Sequence, residues 1–152
     1  MRTLLSHGTM MGEVLLLVQT VCGTVMGAFI SEELQCESHY YGSGECFVFH
    51  FSTGSLTKSQ TKIHVFKWAK KNTFFVRSTE HGGISIGGDD QGRCSLRIES
   101  DLLTGSSQPC DTFDNPCLNR TQVDQEPVHE LYDHEQFEIL NVEVWGFGKA
   151  AT

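Results

Sequence analysis

Serine, histidine and cysteine each occur in this chain in patterns that chemistry can use. Gly83-Ile84-Ser85-Ile86-Gly87 matches G-x-S-x-G, the pattern that presents a nucleophilic serine at a strand-to-helix elbow. The elbow needs a helix directly after the serine. Here Gly-Gly-Asp-Asp-Gln-Gly follows without helical periodicity, and Ile84 and Ile86 alternate about Ser85 as on a strand that turns the serine outward. His129-Glu130 followed by His134 is one residue too long for H-E-x-x-H, so a helix would turn the second imidazole away from a shared metal. Residues 87–92 form a Gly-rich loop, but Asp89 and Asp90 repel phosphate and the P-loop Lys-Ser/Thr is missing.

The six cysteines, Cys22, Cys36, Cys46, Cys94, Cys110 and Cys117, contain no C-x-x-C pair. They would suit three disulfides in a secreted protein. The N-terminus, however, is a poor signal peptide: Glu13 sits where the apolar region should begin and Gln19, Thr20, Gly23 and Thr24 interrupt it. Reduced thiols are therefore expected, and the sequon Asn119-Arg120-Thr121 would matter only on secretion. A reactive thiol needs a lowered pKa, and Asp111 beside Cys110 works against one. A thiol- or serine-dependent enzyme carried by Cys46, Cys110 or Ser85 is the alternative reading, behind a non-enzymatic one. No metal site and no cofactor are expected.

The elements that would position these residues are strands. The chain has 152 residues, 15 Gly, 10 Phe and 3 Pro, and no long 3.6-residue period, which suits one domain of strands joined by tight turns. Residues 14–20 and 24–30 read as a hairpin around Val21-Cys22-Gly23. Phe47, Phe49 and Phe51 should share one strand face. Residues 63–68 and 73–77 read as a second hairpin with the basic turn Ala69-Lys70-Lys71-Asn72, its aromatics Phe66, Trp68, Phe74 and Phe75 in the core. Residues 84–86 and 94–98 flank a third turn, 52–60 read as a loop, 101–118 as irregular, and 119–135 as a long exposed polar loop. Phe137, Ile139, Val142, Val144 and Phe147 mark the last strand region. The fold class is mainly β: a two-sheet antiparallel β-sandwich with few short helices.

The formal charge of −8 is uneven: −4 over residues 1–57, +5 over 58–97 and −9 over 98–152. An acidic chain of this kind is not a general nucleic-acid binder. Lys67, Lys70, Lys71 and Arg77 form a basic stretch that can meet anionic lipid or an acidic protein face.

Six segments in order resemble the TLDc domain, the module of the oxidation-resistance proteins. They are GAFIS (27–31), YYGSGECFVFHF (40–51), VFKWAKKNTFFV (65–76), ISIGGDDQGRCSLRIESDL (84–102), GSSQPCDTFDNPCL (105–118) and FEILNVEVWGF (137–147). The G-x-G-E-C-F form and DTFDN are similar to the TBC–TLDc proteins of the Skywalker type. The resemblance points to Gly42, Gly44, Glu45, Gly87, Gly88, Asp101, Gly105, Ser106, Thr112, Phe113, Glu143 and Trp145 as motif or binding residues. Glu45, Asp101 and Glu143, if buried, would need several hydrogen bonds, from turn N–H groups or Thr112. Arg97 stands where the family usually has Trp, and Glu99 where it has Asp.

The resemblance implies a domain at residues 14–148, with a polar insertion at 119–135, an N-terminal remnant at 1–13 and a tail at 149–152. The family's N-terminal helical portion would be missing, which would leave an apolar sheet face exposed and the isolated chain poorly soluble. It further implies a non-enzymatic interaction module that binds subunits of the V-type proton ATPase and acts in oxidative-stress protection and vesicle trafficking. Such a module would be cytoplasmic, peripheral on vesicle or lysosomal membranes. Small GTPases or phosphoinositides would enter through a companion TBC domain outside this chain.

Overall fold

The computed structural model describes residues 12–53, 61–125 and 128–147. Most of the expected remnant at 1–13, part of the expected loop at 52–60, and the tail at 149–152 lie outside these residues.

The chain alternates short apolar-patterned runs with glycine turns, and the described residues form strands and turns with no helix. In order the strands are β1 (Val14–Thr20), β2 (Val25–Ile30), β3 (Glu37–Tyr41), β4 (Phe47–Thr53), β5 (Thr61–Lys67) and β6 (Val76–Thr79). They continue as β7 (Gly83–Ile86), β8 (Leu96–Ile98), β9 (Thr104–Ser106), β10 (Arg120–Gln125), β11 (Val128–Asp133) and β12 (Gln136–Gly146). The mainly β antiparallel class is thus observed. Hydrogen bonding, however, runs through one ten-stranded sheet, β3-β6-β7-β8-β9-β12-β1-β2-β4-β5, where two separate sheets and short helices were expected.

One strand belongs to both wings of this sheet. β12 pairs with β9 through Gln136, Phe137 and Glu138, then with β1 from Ile139 onward. Gln19 faces Asn141 while Thr20 faces Ile139, which leaves Leu140 as an extra residue. A bulge adds one residue to one strand and bends it. The side-chain parity changes accordingly: Phe137 and Ile139 are buried before the bulge, and Val142 and Val144 pack on the core after it. One core cluster draws Val14, Leu16, Val18, Met26, Ala28 and Val48 from the first wing and Val76, Ile84, Ile86, Leu96 and Ile98 from the second.

The β1–β2 and β7–β8 hairpins stand where the turn residues place them. Residues 63–77 do not form the expected hairpin. β5 pairs only with β4, and β6 pairs with β3 and β7, so residues 68–75 are a crossover between wings. The polar stretch at 119–135, expected as a loop, is a two-stranded hairpin, β10–β11, outside the main sheet. β9 similarly interrupts the segment expected to be irregular.

The first wing is apolar on both faces. Cys46, just before β4, and Val48 and His50 within it point to the core, and Phe47, Phe49 and Phe51 share the opposite face as their period requires, with Phe49 itself buried there. Their rings touch in series, and Phe47 stacks on Phe29 of β2 at 5.2 Å.

Candidate functional site

The crossover is held by a buried polar knot that absorbs much of the glycine-rich motif. Thr112 is fully buried. Its Oγ1 accepts the Gly88 N–H at 3.0 Å, and its proton lies between Asn72 Oδ1 at 2.8 Å and the Gly88 carbonyl at 2.9 Å. Asn72 Nδ2 donates to the same carbonyl, Asn72 Oδ1 accepts from the Phe74 N–H, and Trp68 Nε1 donates to Asn72 O at 2.7 Å. Ala69 N–H donates to the Thr112 carbonyl. The connection thus satisfies its polar groups without a ladder.

The motif glycines and Phe113 pack around this knot. Gly44 lies under the Trp68 ring, where a Cβ would come within 2.3 Å of it. Gly88 abuts Tyr40 and Phe74, Gly87 abuts Ser95 and Phe113, and Gly42 abuts Cys46 and Phe75. Phe113 is buried against Phe75. Gly42, Gly44, Gly87, Gly88, Thr112 and Phe113 are thus brought together in and around one packed polar knot.

The nucleophile candidates are placed poorly for catalysis. Ser85 is buried, not outward-facing as the strand pattern suggested. The cause is Arg97 on β8, opposite in register, whose Nη1 donates to Ser85 Oγ at 3.1 Å. Arg97 also binds Glu99 through Nε at 2.9 Å and the Gly82 carbonyl through Nη2. A guanidinium, with no acceptor to offer, cannot take the serine proton. Cys46 is buried against Ser31, and Cys110 is buried with its thiol toward the Arg93 carbonyl. Burial pushes the Cys94 thiol up, against the opposing effects of Ser85 and Arg97. All six cysteines are free thiols, and among the described residues no cluster of His, Cys, Asp and Glu could hold a metal ion. His134 follows strand β11, so the His129–His134 stretch is no helix.

The glycine loop at 87–92 supplies its own anion. The Asp89 carboxylate accepts N–H groups of Gln91 and Arg93 and the Arg93 Nε at 2.7 Å. Burial raises its pKa, but these hydrogen bonds outweigh it and hold the carboxyl below the usual range. Phosphate would compete with a carboxylate already in place.

Glu45, Asp101 and Glu143 are exposed, and Thr112 serves none of them. Asp101 caps the Leu103 N–H within its turn. The basic stretch is divided: Lys67 ends β5, Lys71 pairs with Asp114 at 3.2 Å, and Arg77 on β6 lies over the Tyr40 ring. Lys70 has a positive φ of 61° in the crossover. Lys71–Asp114 and Arg97–Glu99 join the basic middle to the acidic tail, as the charge split allowed.

Two features remain open to solvent. Trp145, 56% exposed, stands on the outer face of the first wing, and its Nε1 donates to Glu143 Oε2 at 3.1 Å. Phe147, Ile63 and Val65 are exposed with it. Gly105 and Ser106 line the second feature, a cavity of about 670 Å³ bounded by the β1–β2 turn, β9 and the start of β12. Sequence reading found two of its residues and missed the rest, which come from separate segments.

The profile of the TLDc domain matches residues 1–148. The chain is 32% identical over 134 residues to nuclear receptor coactivator 7 of Gallus gallus, covering 88% of this chain and 12% of that protein. It is 32% identical over 134 residues to oxidation resistance protein 1 of Homo sapiens, covering 88% and 13%. Against oxidation resistance protein 1 of Xenopus tropicalis the identity is 30% over 144 residues, covering 93% and 14%. The chain thus spans about an eighth of the length of these relatives.

Proposed function

Because this chain belongs to the TLDc domain family, we propose that it is a non-enzymatic interaction module that acts in protection against oxidative stress and in vesicle trafficking. The partner is the cytosolic part of the V-type proton ATPase, and the module sits peripherally on vesicle or lysosomal membranes. The oxidation resistance proteins among its relatives support the stress role by name. The observation that carries a docking role is the outer face of the first wing. Exposed Val65 and Ile63 stand opposite Phe49 and Phe51 of the ring series, and exposed Trp145 stands opposite Leu15, which in turn stands opposite Phe29. Contiguous exposed apolar surface marks interaction sites, and tryptophan is enriched among residues that dominate binding. The Glu143 carboxylate orients the indole and adds a polar handle.

The test is a pull-down from cytosol with purified wild type, Trp145→Ala and Glu143→Ala, with mass-spectrometric detection. Wild type recovers ATPase subunits, and Trp145→Ala recovers roughly tenfold less or lower. The reading fails if soluble wild type recovers no subunit, or if Trp145→Ala recovers as much as wild type.

A further inference from the structure

We propose that the cavity beside the bulged strand is a binding site for a guanidinium or alkylammonium group carried on an apolar stem. It lies at the opposite end of β12 from Trp145 and stands independently of the docking face. Its volume, about 670 Å³, is that of a small-molecule or side-chain pocket. Phe137 forms an apolar wall, with its ring over Gly105, where a Cβ would come within 2.7 Å of it. Val21 adds a second apolar surface.

The polar lining is rich in acceptors and in negative charge. Glu99, Glu138, Thr104 and Ser106 are among the lining residues, with His134 beside them. Arg97 engages Glu99 through Oε1, and a carboxylate has more than one acceptor site. Asn119 stands in the same wall, 4% exposed. Its Nδ2 donates to the His134 carbonyl at 3.0 Å, and the His134 N–H donates back to the Asn119 carbonyl, which fixes the amide. Asn119 Oδ1 is then the one buried side-chain oxygen or nitrogen without a hydrogen-bond partner among the described residues. A buried acceptor held this way lacks a donor. A fork of N–H donors, or an ammonium, brings donors to this wall and one positive charge to Glu138, since Glu99 already has Arg97 as its counter-ion, while its methylene stem covers Phe137.

The site is tested by two-dimensional amide NMR of the full chain. The probes are agmatine, the blocked peptide GGRGG, and the same peptide with neutral citrulline. Agmatine and GGRGG should shift amides of residues 20–22, 104–106, 119 and 136–138, and the citrulline peptide should not. Glu138→Gln, an exposed change that spares the core, should weaken binding roughly tenfold, and Glu32→Gln, away from the cavity lining, should leave it unchanged. Tighter binding of the peptide assigns the cation to a protein side chain, and equal binding assigns it to a free amine; either upholds the site. Equal shifts with citrulline, shifts elsewhere, unchanged affinity in Glu138→Gln, or no shift at millimolar probe would each overturn it.

Discussion

Thr112 Oγ1 lies 2.8 Å from Asn72 Oδ1, and this contact between residues forty positions apart fastens the crossover between the two wings. Thr112→Val keeps the shape and removes the hydroxyl. The Gly88 N–H then loses its acceptor inside the protein. The expected loss is about 1–3 kcal/mol in chemical denaturation, while Thr112→Ser, which keeps the hydroxyl, loses clearly less. A loss in Ser with none in Val would mean that the methyl group, not the hydrogen bonds, matters here.

Gly44 answers to the same knot from the outside. The Trp68 ring above it cannot swing freely, because Nε1 is bound to the Asn72 carbonyl and the ring packs edge-on against Phe75 at 5.4 Å. Gly44→Ala should therefore cost about 1–3 kcal/mol, the range of overpacking, with a change in near-ultraviolet circular dichroism from the displaced indole. An unchanged melt and spectrum would show that the ring moves aside without cost.

Much of this arrangement was legible in the residues, and the failures have physical reasons. The β1–β2 and β7–β8 hairpins are local, so turn residues and alternation suffice to locate them. The switch from Phe137 and Ile139 to Val142 and Val144 is itself the trace of the Leu140 bulge. Residues 69–72 look like a turn because they are polar and basic, but Asn72 serves the distant Thr112, a pairing that no local pattern displays. β10 and β11 escaped because their hairpin stands apart from the main sheet and needs no core-facing stripe. The cavity escaped because Thr20, Glu99, Ser106, Asn119 and Glu138 meet only after β12 bends between the wings.

His50 makes stability depend on pH. It is 8% exposed and stacks on His64 at 4.8 Å and on Phe66. Burial, then the neighbouring His64, holds its pKa below the ordinary histidine value of 6.5. The unfolded chain binds this proton more readily, so the stabilisation is complete above that value and is lost as pH falls through it. His50→Phe keeps the stack and removes the titration. Denaturation midpoints should fall less between neutral and mildly acidic pH in the variant than in wild type; parallel slopes would remove His50 as the cause.

The outer face should make the isolated chain self-associate. Ile63 and Val65 are 54% and 43% exposed on β5, which ends the sheet order and so presents an unpaired edge. Ile63→Thr with Val65→Thr keeps strand propensity and removes apolar surface. Light scattering should show a smaller apparent mass at equal concentration, with little change in melting. Unaltered association would place the adhesive surface elsewhere.

The thiols distinguish the interaction module from the enzyme alternative. Cys22 and Cys36 are exposed, whereas Cys46, Cys110 and Cys117 are buried. Burial also pushes the thiols of Cys94 and Cys117 up, so neither is poised as a thiolate at neutral pH. A thiolate-selective reagent at neutral pH should therefore label Cys22 and Cys36 first, at rates typical of accessible thiols. Cys46, Cys110 and Cys117 should label only as fast as the fold opens, half-buried Cys94 should fall between the two groups, and all six should react alike in denaturant. Fast labelling of Cys46 or Cys110 in the folded chain would instead reveal an activated nucleophile and return the thiol enzyme to first place.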